Sequence, residues 1–125
     1  MLEAIMLSVH IEKVGDMAVV ECEGRIIRSE AAFMLRNAVT SQTEARIVVL
    51  DFSELDAIGG GGLGMLMFLQ RWAYDHYIRL KLFNPSRSVR ERLEHAGSMP
   101  AFEIATLDEM MAFLARADSR YALAA

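Results

Sequence analysis

Four consecutive glycines, Gly59-Gly60-Gly61-Gly62, with Gly64 close behind, raise the first chemical question in this chain. Glycine-rich turns cradle phosphates because a backbone without Cβ atoms lets N–H groups approach an anion closely. Counted from Gly59, the phosphate-binding loop G-x-x-x-x-G-K-S/T reaches Gly64 but continues with Met65. The lysine and hydroxyl that nucleotide hydrolysis needs are missing. Gly59, Gly61 and Gly64 can be read as G-x-G-x-x-G, but that fingerprint belongs after the first strand of a dinucleotide fold, and this run comes later. Three readings stay open: an anion held by backbone N–H groups at a helix start, a partner approaching bare backbone, or a flexible loop.

Other reactive residue types are scattered. His10, His76 and His95 lie in different elements, with no carboxylate at metal-ligand spacing, so neither a metal nor another cofactor is expected. No Ser/His/Asp arrangement stands out, and no activated nucleophile is expected. Cys22 is the single cysteine and sits in an apolar alternating stretch, which suits a small core residue. Asp51 ends an apolar run and reads as an acceptor for nearby N–H groups. Arg87, Arg90 and Arg92 cluster on one helix, either as a solvated face or to meet acids on a partner. Most of the nine methionines fall on helix faces and read as core, with Met65 a candidate for an adaptable binding surface. The expected activity is binding, not catalysis.

The elements that must position these residues follow from periodicity. Leu7, Val9 and Ile11 alternate with Ser8, His10 and Glu12, the signature of a half-buried strand. Gly15-Asp16 supplies a turn and Met17–Glu23 the return strand of a hairpin. Ser29 is an expected N-cap for a helix reaching about Gln42, with Ala32, Leu35, Ala38 and Val39 inward. Arg46–Phe52 contains Ile-Val-Val-Leu without alternation, a strand covered on both faces. Beyond the glycine loop, Leu63 to about Tyr77 is apolar almost all round and predicts a largely buried helix. Arg79–Phe83 is a strand that Asn84-Pro85 breaks, and Ser86 caps a helix with Val89, Leu93 and Ala96 inward and Gly97 at its end. Phe102–Ala105 is a short strand. Thr106 and Glu109 form a capping box for a last helix, with Leu107, Met110, Met111 and Leu114 as its buried stripe. Residues 118–125 are a helix extension or frayed end. The order is β-β-α-β-α-β-α-β-α, an α/β fold with a mixed four- to five-stranded sheet and helices mainly on one face.

Length and composition set the bounds. The 125 residues fit one domain, 1–125, with a core of about 6–116 and a tail of 117–125. A hydrophobic content of 54% is ample for one core, and a net charge of −4 argues against nucleic acid. The longest apolar stretch, Leu63–Leu69, is far short of the ~20 residues that span a bilayer. No basic segment precedes an apolar run, so no signal peptide is expected. With one cysteine there is no internal disulfide, which fits a cytoplasmic location.

Val48-Val49-Leu50-Asp51-Phe52-Ser53-Glu54-Leu55-Asp56-Ala57-Ile58 followed by Gly62-Leu63-Gly64 resembles the STAS domain, whose pattern here is V-L-D-L-S-x-V-x-x-I-D-S-S/T-G-L-G. Asn84-Pro85-Ser86 sits where that family turns into its third helix, and the likeness covers about residues 6–116. The resemblance implies an anti-sigma-factor-antagonist type of switch module. Its partner would be an anti-sigma factor or serine kinase with a histidine-kinase-like ATPase fold. Docking would use Asp56, Ile58, Gly59, Gly60, Gly61, Gly62, Leu63, Met65 and Leu66, with Arg87 and Arg90. In such antagonists a serine in this loop is phosphorylated, which adds ~1.5–2 negative charges and expels the partner. Gly60 falls at that position and has no hydroxyl; the preceding acid is absent too. The resemblance therefore implies a module locked in its unphosphorylated-like state, or regulated by other means. Two other classes stay open: a STAS component that binds the ATPase of a lipid or anion transporter, and an anion- or nucleotide-binding module. An exposed hairpin edge and apolar helix faces permit a homodimer.

Overall fold

The computed structural model describes residues 7–97 and 102–124, with side chains to residue 116. Nine elements follow the expected order: β1 (Leu7–Val14), β2 (Met17–Ile26), α1 (Ser29–Thr40), β3 (Ile47–Ile58), α2 (Gly60–Asp75), β4 (Arg79–Phe83), α3 (Arg87–His95), β5 (Glu103–Ala105) and α4 (Leu107–Ala124). They form one mixed sheet in the order β1-β2-β3-β4-β5. β1 and β2 are antiparallel, joined through Val14↔Met17 by Gly15-Asp16, where Gly15 takes φ +62° at no steric cost. The remaining neighbours are parallel.

Period two along the strands sorts the core into two layers. Ala18, Val20, Cys22, Val48, Leu50, Phe52, Leu80 and Leu82 face α1, α2 and α3. Met17, Val19, Val49 and Ala105 face α4. The central run is apolar on both sides because helices cover both faces, three on one and one on the other. Lys81 is the charged exception, 4% exposed in β4, with its ammonium donating to Glu103 Oε1 at 2.8 Å. Cys22 is buried, and burial, with the charge of Asp51 adding, pushes its thiol up to about 12.

Several boundaries differ from the sequence expectation. β3 runs on to Ile58 instead of stopping at Phe52, because pairing with β2 continues through register shifts at Glu21/Glu23 and Gly24/Arg25. α2 starts at Gly60, so the glycine loop is helix; it ends at Asp75, and Tyr77 takes φ +59°. Ser29 is the first residue of α1, whose N-cap Arg28 makes no side-chain bond. Ala96 is exposed at the end of α3. On α4, Leu107 and Met111 are exposed; the inner face is Met110 with half-buried Phe113 and Leu114. Three local signals stand as read: Ser86 Oγ accepts from Val89 N, Thr106 and Glu109 exchange side-chain bonds at 3.0 Å, and Gly97 takes φ +71°.

Candidate functional site

β3 outlasts its neighbour. Pairing with β4 ends at Asp51↔Phe83, while pairing with β2 continues to Ile26↔Ile58. The freed edge of β3 is held by side chains arriving with α3. Ser86 Oγ donates to Leu55 O at 2.9 Å, Ser88 Oγ to Asp56 O at 2.8 Å, and Arg92 Nε to Ile58 O at 3.2 Å. Upstream, Asp51 Oδ1 accepts from Ser53 N at 2.9 Å and from Ser53 Oγ at 2.6 Å, and Asn84 Nδ2 donates to the same hydroxyl at 3.1 Å. Asp51 is thus the acceptor its sequence position suggested. These bonds satisfy backbone groups that would otherwise lack a strand partner.

The start of α2 grows directly from that edge. Gly59 N donates to Ile26 O at 2.8 Å and Leu63 N to Gly59 O at 2.9 Å, tying the helix to the end of β2. A Cβ on Gly62 would lie 2.6 Å from Ile58 Cγ1 and 2.8 Å from Ile26 Cγ2, so the helix packs there only with glycine. A Cβ on Gly60, Gly61 or Gly64 would meet nothing within 4 Å. Bare backbone at those three positions therefore answers to no packing need among the described residues. α2 also has no side-chain cap at Gly59 and no acid in its first turn, so its own first turn does nothing to offset its N-terminal positive end.

The sequence-nominated residues separate into a surface and its support. Asp56, Gly60, Gly61 and Arg87 are exposed; Gly59, Leu63, Met65 and Arg90 are half-buried. Ile58, Gly62 and Leu66 are buried beneath them. Asp56 and Ile58 sit on β3 and Gly60–Gly62 in the first turn of α2, so the nominated stretch is a strand-to-helix junction with Gly59 between. Arg87 pairs with Glu91 at 3.3 Å, and α3 lies beside the junction through Ser88 and Arg92. Ser86, Ser88 and Arg92 in their edge-holding role were not foreseen, because their acceptors lie 31 to 34 residues away in sequence. Nor were Met67 and Phe68 expected to be exposed, 43% and 49%, on the outer face of α2. Their helical spacing from Gly60 and Gly64 was a usable signal.

Among the described residues no group of three or more His, Cys, Asp or Glu is placed to hold a metal. No described helix is long and apolar enough to cross a membrane. A concavity of about 970 Å³ lies at the opposite ends of β3 and β4, lined in part by Arg46, Ile47, His76 and Arg79. The junction itself presents exposed backbone at a helix start.

The sequence profile of the STAS domain matches residues 8–110. The chain belongs to the STAS domain family. Solved structures agree on the fold. An anti-sigma factor antagonist from Mycobacterium paratuberculosis is 19% identical, with a TM-score of 0.72 over 86% of this chain and 93% of that one. The Bacillus cell fate determinant SpoIIAA in its phosphorylated form is 20% identical, with a TM-score of 0.66 over 86% and 99%. A sulfate transporter family protein from Wolinella succinogenes is 18% identical, with a TM-score of 0.69 over 86% and 93%. No curated protein matches the chain by sequence.

Proposed function

We propose that this STAS domain is a cytoplasmic regulatory module that acts by binding, as an anti-sigma factor antagonist. Its partner is an anti-sigma factor or serine kinase with a histidine-kinase-like ATPase fold. Docking uses the β3–α2 junction: Asp56, Gly59, Gly60 and Gly61, the half-buried Leu63 and Met65, and Arg87 and Arg90 of α3. The observation that carries this reading is the state of the α2 start, exposed, bare of side chains at Gly60 and Gly61, and tethered from below through Gly62, Ile26 and Ile58. Release of a sigma factor follows by competition, since the anti-sigma factor holds one partner at a time. Without a hydroxyl at Gly60, phosphoryl transfer there is chemically impossible, so the module is not switched off at that position.

Calorimetric titration of the chain with an ATPase-fold anti-sigma factor from the same organism, with and without ATP, tests this. Binding should persist in ATP, and Gly60→Asp should weaken it at least ~10-fold by placing a charge on the docking surface. The variant remains folded, because the space around Gly60 is open and an acid suits a helix N-terminus. Binding that ignores Gly60→Asp, or no binding by the folded chain, sinks the reading.

The fold shared with a sulfate transporter family protein supports a second reading, a STAS component that docks on a transporter's ATPase. Titration against such an ATPase separates the two.

A further inference from the structure

β1 closes one side of the sheet, and among the described residues no strand lies beyond it. It is eight residues long and pairs with β2 along its whole length, from Leu7↔Gly24 to Val14↔Met17, without a register shift. The outer side of such a strand is a row of open N–H and C=O groups, a template for another strand. Proteins usually blunt such an edge with proline, a bulge, lysines or short length. β1 has neither proline nor bulge, and its one lysine, Lys13, stands next to its last residue. β5, at the other edge of the sheet, has only three residues.

The side chains of β1 select the strand that fits. Val9 and Ile11 are half-buried against the layer under α1, while Ser8, His10 and Glu12 stand exposed on the opposite face. Among the described residues His10, Glu12 and Lys13 have no hydrogen-bond or ion-pair partner. An antiparallel second copy of β1 must match faces, so odd positions oppose odd and even oppose even. A two-fold axis through His10 sets histidine on histidine, and one through Glu12 sets carboxylate on carboxylate, which is unfavourable. An axis through Val9 leaves Glu12 and Lys13 unopposed. An axis through Ile11 sets His10 against Glu12 of the partner subunit, and Glu12 against His10 of the partner subunit. It also puts Ile11 on its own copy and Val9 on the alkyl stem of the partner's Lys13. That alignment is complementary in charge and uses the strand from Ser8 to Val14.

We propose that β1 is a self-pairing edge: two copies of the chain join antiparallel through β1, about a two-fold axis at Ile11, and fuse their sheets into one. The contact is isologous, so each pair occurs twice. One strand a side falls short of the ~1,200 Å² of a stable interface, so the dimer is weak and forms at high concentration. The β3–α2 junction lies two strands in from this edge, and the pairing does not depend on the junction's proposed function.

Sedimentation equilibrium of the full chain up to ~1 mM tests the proposal. The mean mass should rise from that of one chain toward that of two. His10→Glu should weaken association at least ~5-fold by opposing carboxylates twice, and adding Glu12→Lys should restore it. Both positions are exposed, and far-UV circular dichroism checks that each variant is folded. Ile11→Cys should cross-link two chains under mild oxidation, because position 11 meets its own copy at a Cα separation of ~4.5–5.5 Å. His10→Cys should not, since position 10 opposes position 12. Cys22 is buried and does not compete. Three results would overturn the proposal: a chain that stays monomeric at ~1 mM, association that ignores His10→Glu, or cross-linking through His10→Cys in place of Ile11→Cys. The second would place the dimer contact on another surface, and the third would move the axis.

Discussion

Gly62→Ala is the sharpest test of how α2 is seated. The new methyl carbon would lie 2.6 Å from Ile58 Cγ1, 2.8 Å from Ile26 Cγ2 and 3.0 Å from Ile26 O, where ordinary carbon contacts need ~3.5–4.0 Å. Neither isoleucine has room to yield, since Ile26 is 0% and Ile58 2% exposed. The Ile26 carbonyl is committed as well, because it accepts Gly59 N at 2.8 Å. Overpacking of this kind costs about 1–3 kcal/mol, and alanine returns about 0.5–1 kcal/mol of helix propensity. The net expectation is a loss of up to about 2.5 kcal/mol. Gly60→Ala, two residues earlier in open space, takes the propensity gain alone and should stabilise by about 0.5–1 kcal/mol. Urea unfolding of both variants measures the difference, as midpoints that move in opposite directions with an unchanged slope. If Gly62→Ala is as stable as Gly60→Ala, the seating of α2 on Ile26 and Ile58 is wrong.

Other expectations are simpler to read out. The hydrogen bond from Lys81 holds the Glu103 carboxyl below its usual range, against partial burial and with the charges of Lys81 and Arg79 adding. A carboxyl depressed in the folded state stabilises above its unfolded value, near pH ~4.3, and that contribution is lost as pH falls through the folded value. Glu103→Gln should therefore cost about 1 kcal/mol at neutral pH, allowing for screening at its exposed end, and the gap should close in acid, as followed by unfolding across pH. The Cys22 thiol should resist a disulfide reagent at pH 8 until denaturant is added, because it is buried and pushed up to about 12; rapid reaction of the native chain would contradict that burial. Ser86→Ala removes both the α3 cap and the bond to Leu55 O, and should cost about 1–2 kcal/mol in the same urea assay.

The hairpin, the element order and the two capped helix starts at Ser86 and Thr106 were legible because each rests on neighbours in sequence. The second half of β3 was not. Its bulges break the period of two, and Ser53, Glu54 and Asp56 give it the polarity of a loop. The helical state of Gly60–Gly62 was hidden for the opposite reason. Glycine is a poor helix former, and the packing of Gly62 on Ile26 and Ile58 overrides that preference from 36 residues away in the case of Ile26. The candidate stretch was therefore named from sequence without its shape. Asp56 and the glycines were named together, but which were surface and which support depended on burial.

The donors that α3 lends to β3 also bear on how the chain finds its alignment. β3 offers Val48, Val49 and Leu50 buried in succession, so sliding it by one residue against β2 would exchange one apolar side chain for another. Burial alone guards that alignment weakly. Discrimination falls instead to polar groups with one correct acceptor each: Ser86 on Leu55 O, Ser88 on Asp56 O, Arg92 on Ile58 O. All three arrive late in the chain, on a nine-residue helix and its N-cap. A nascent sheet could thus hold a misaligned β3 until α3 docks and proofreads it, and α3 becomes the element whose loss would first show as a mixture of strand pairings.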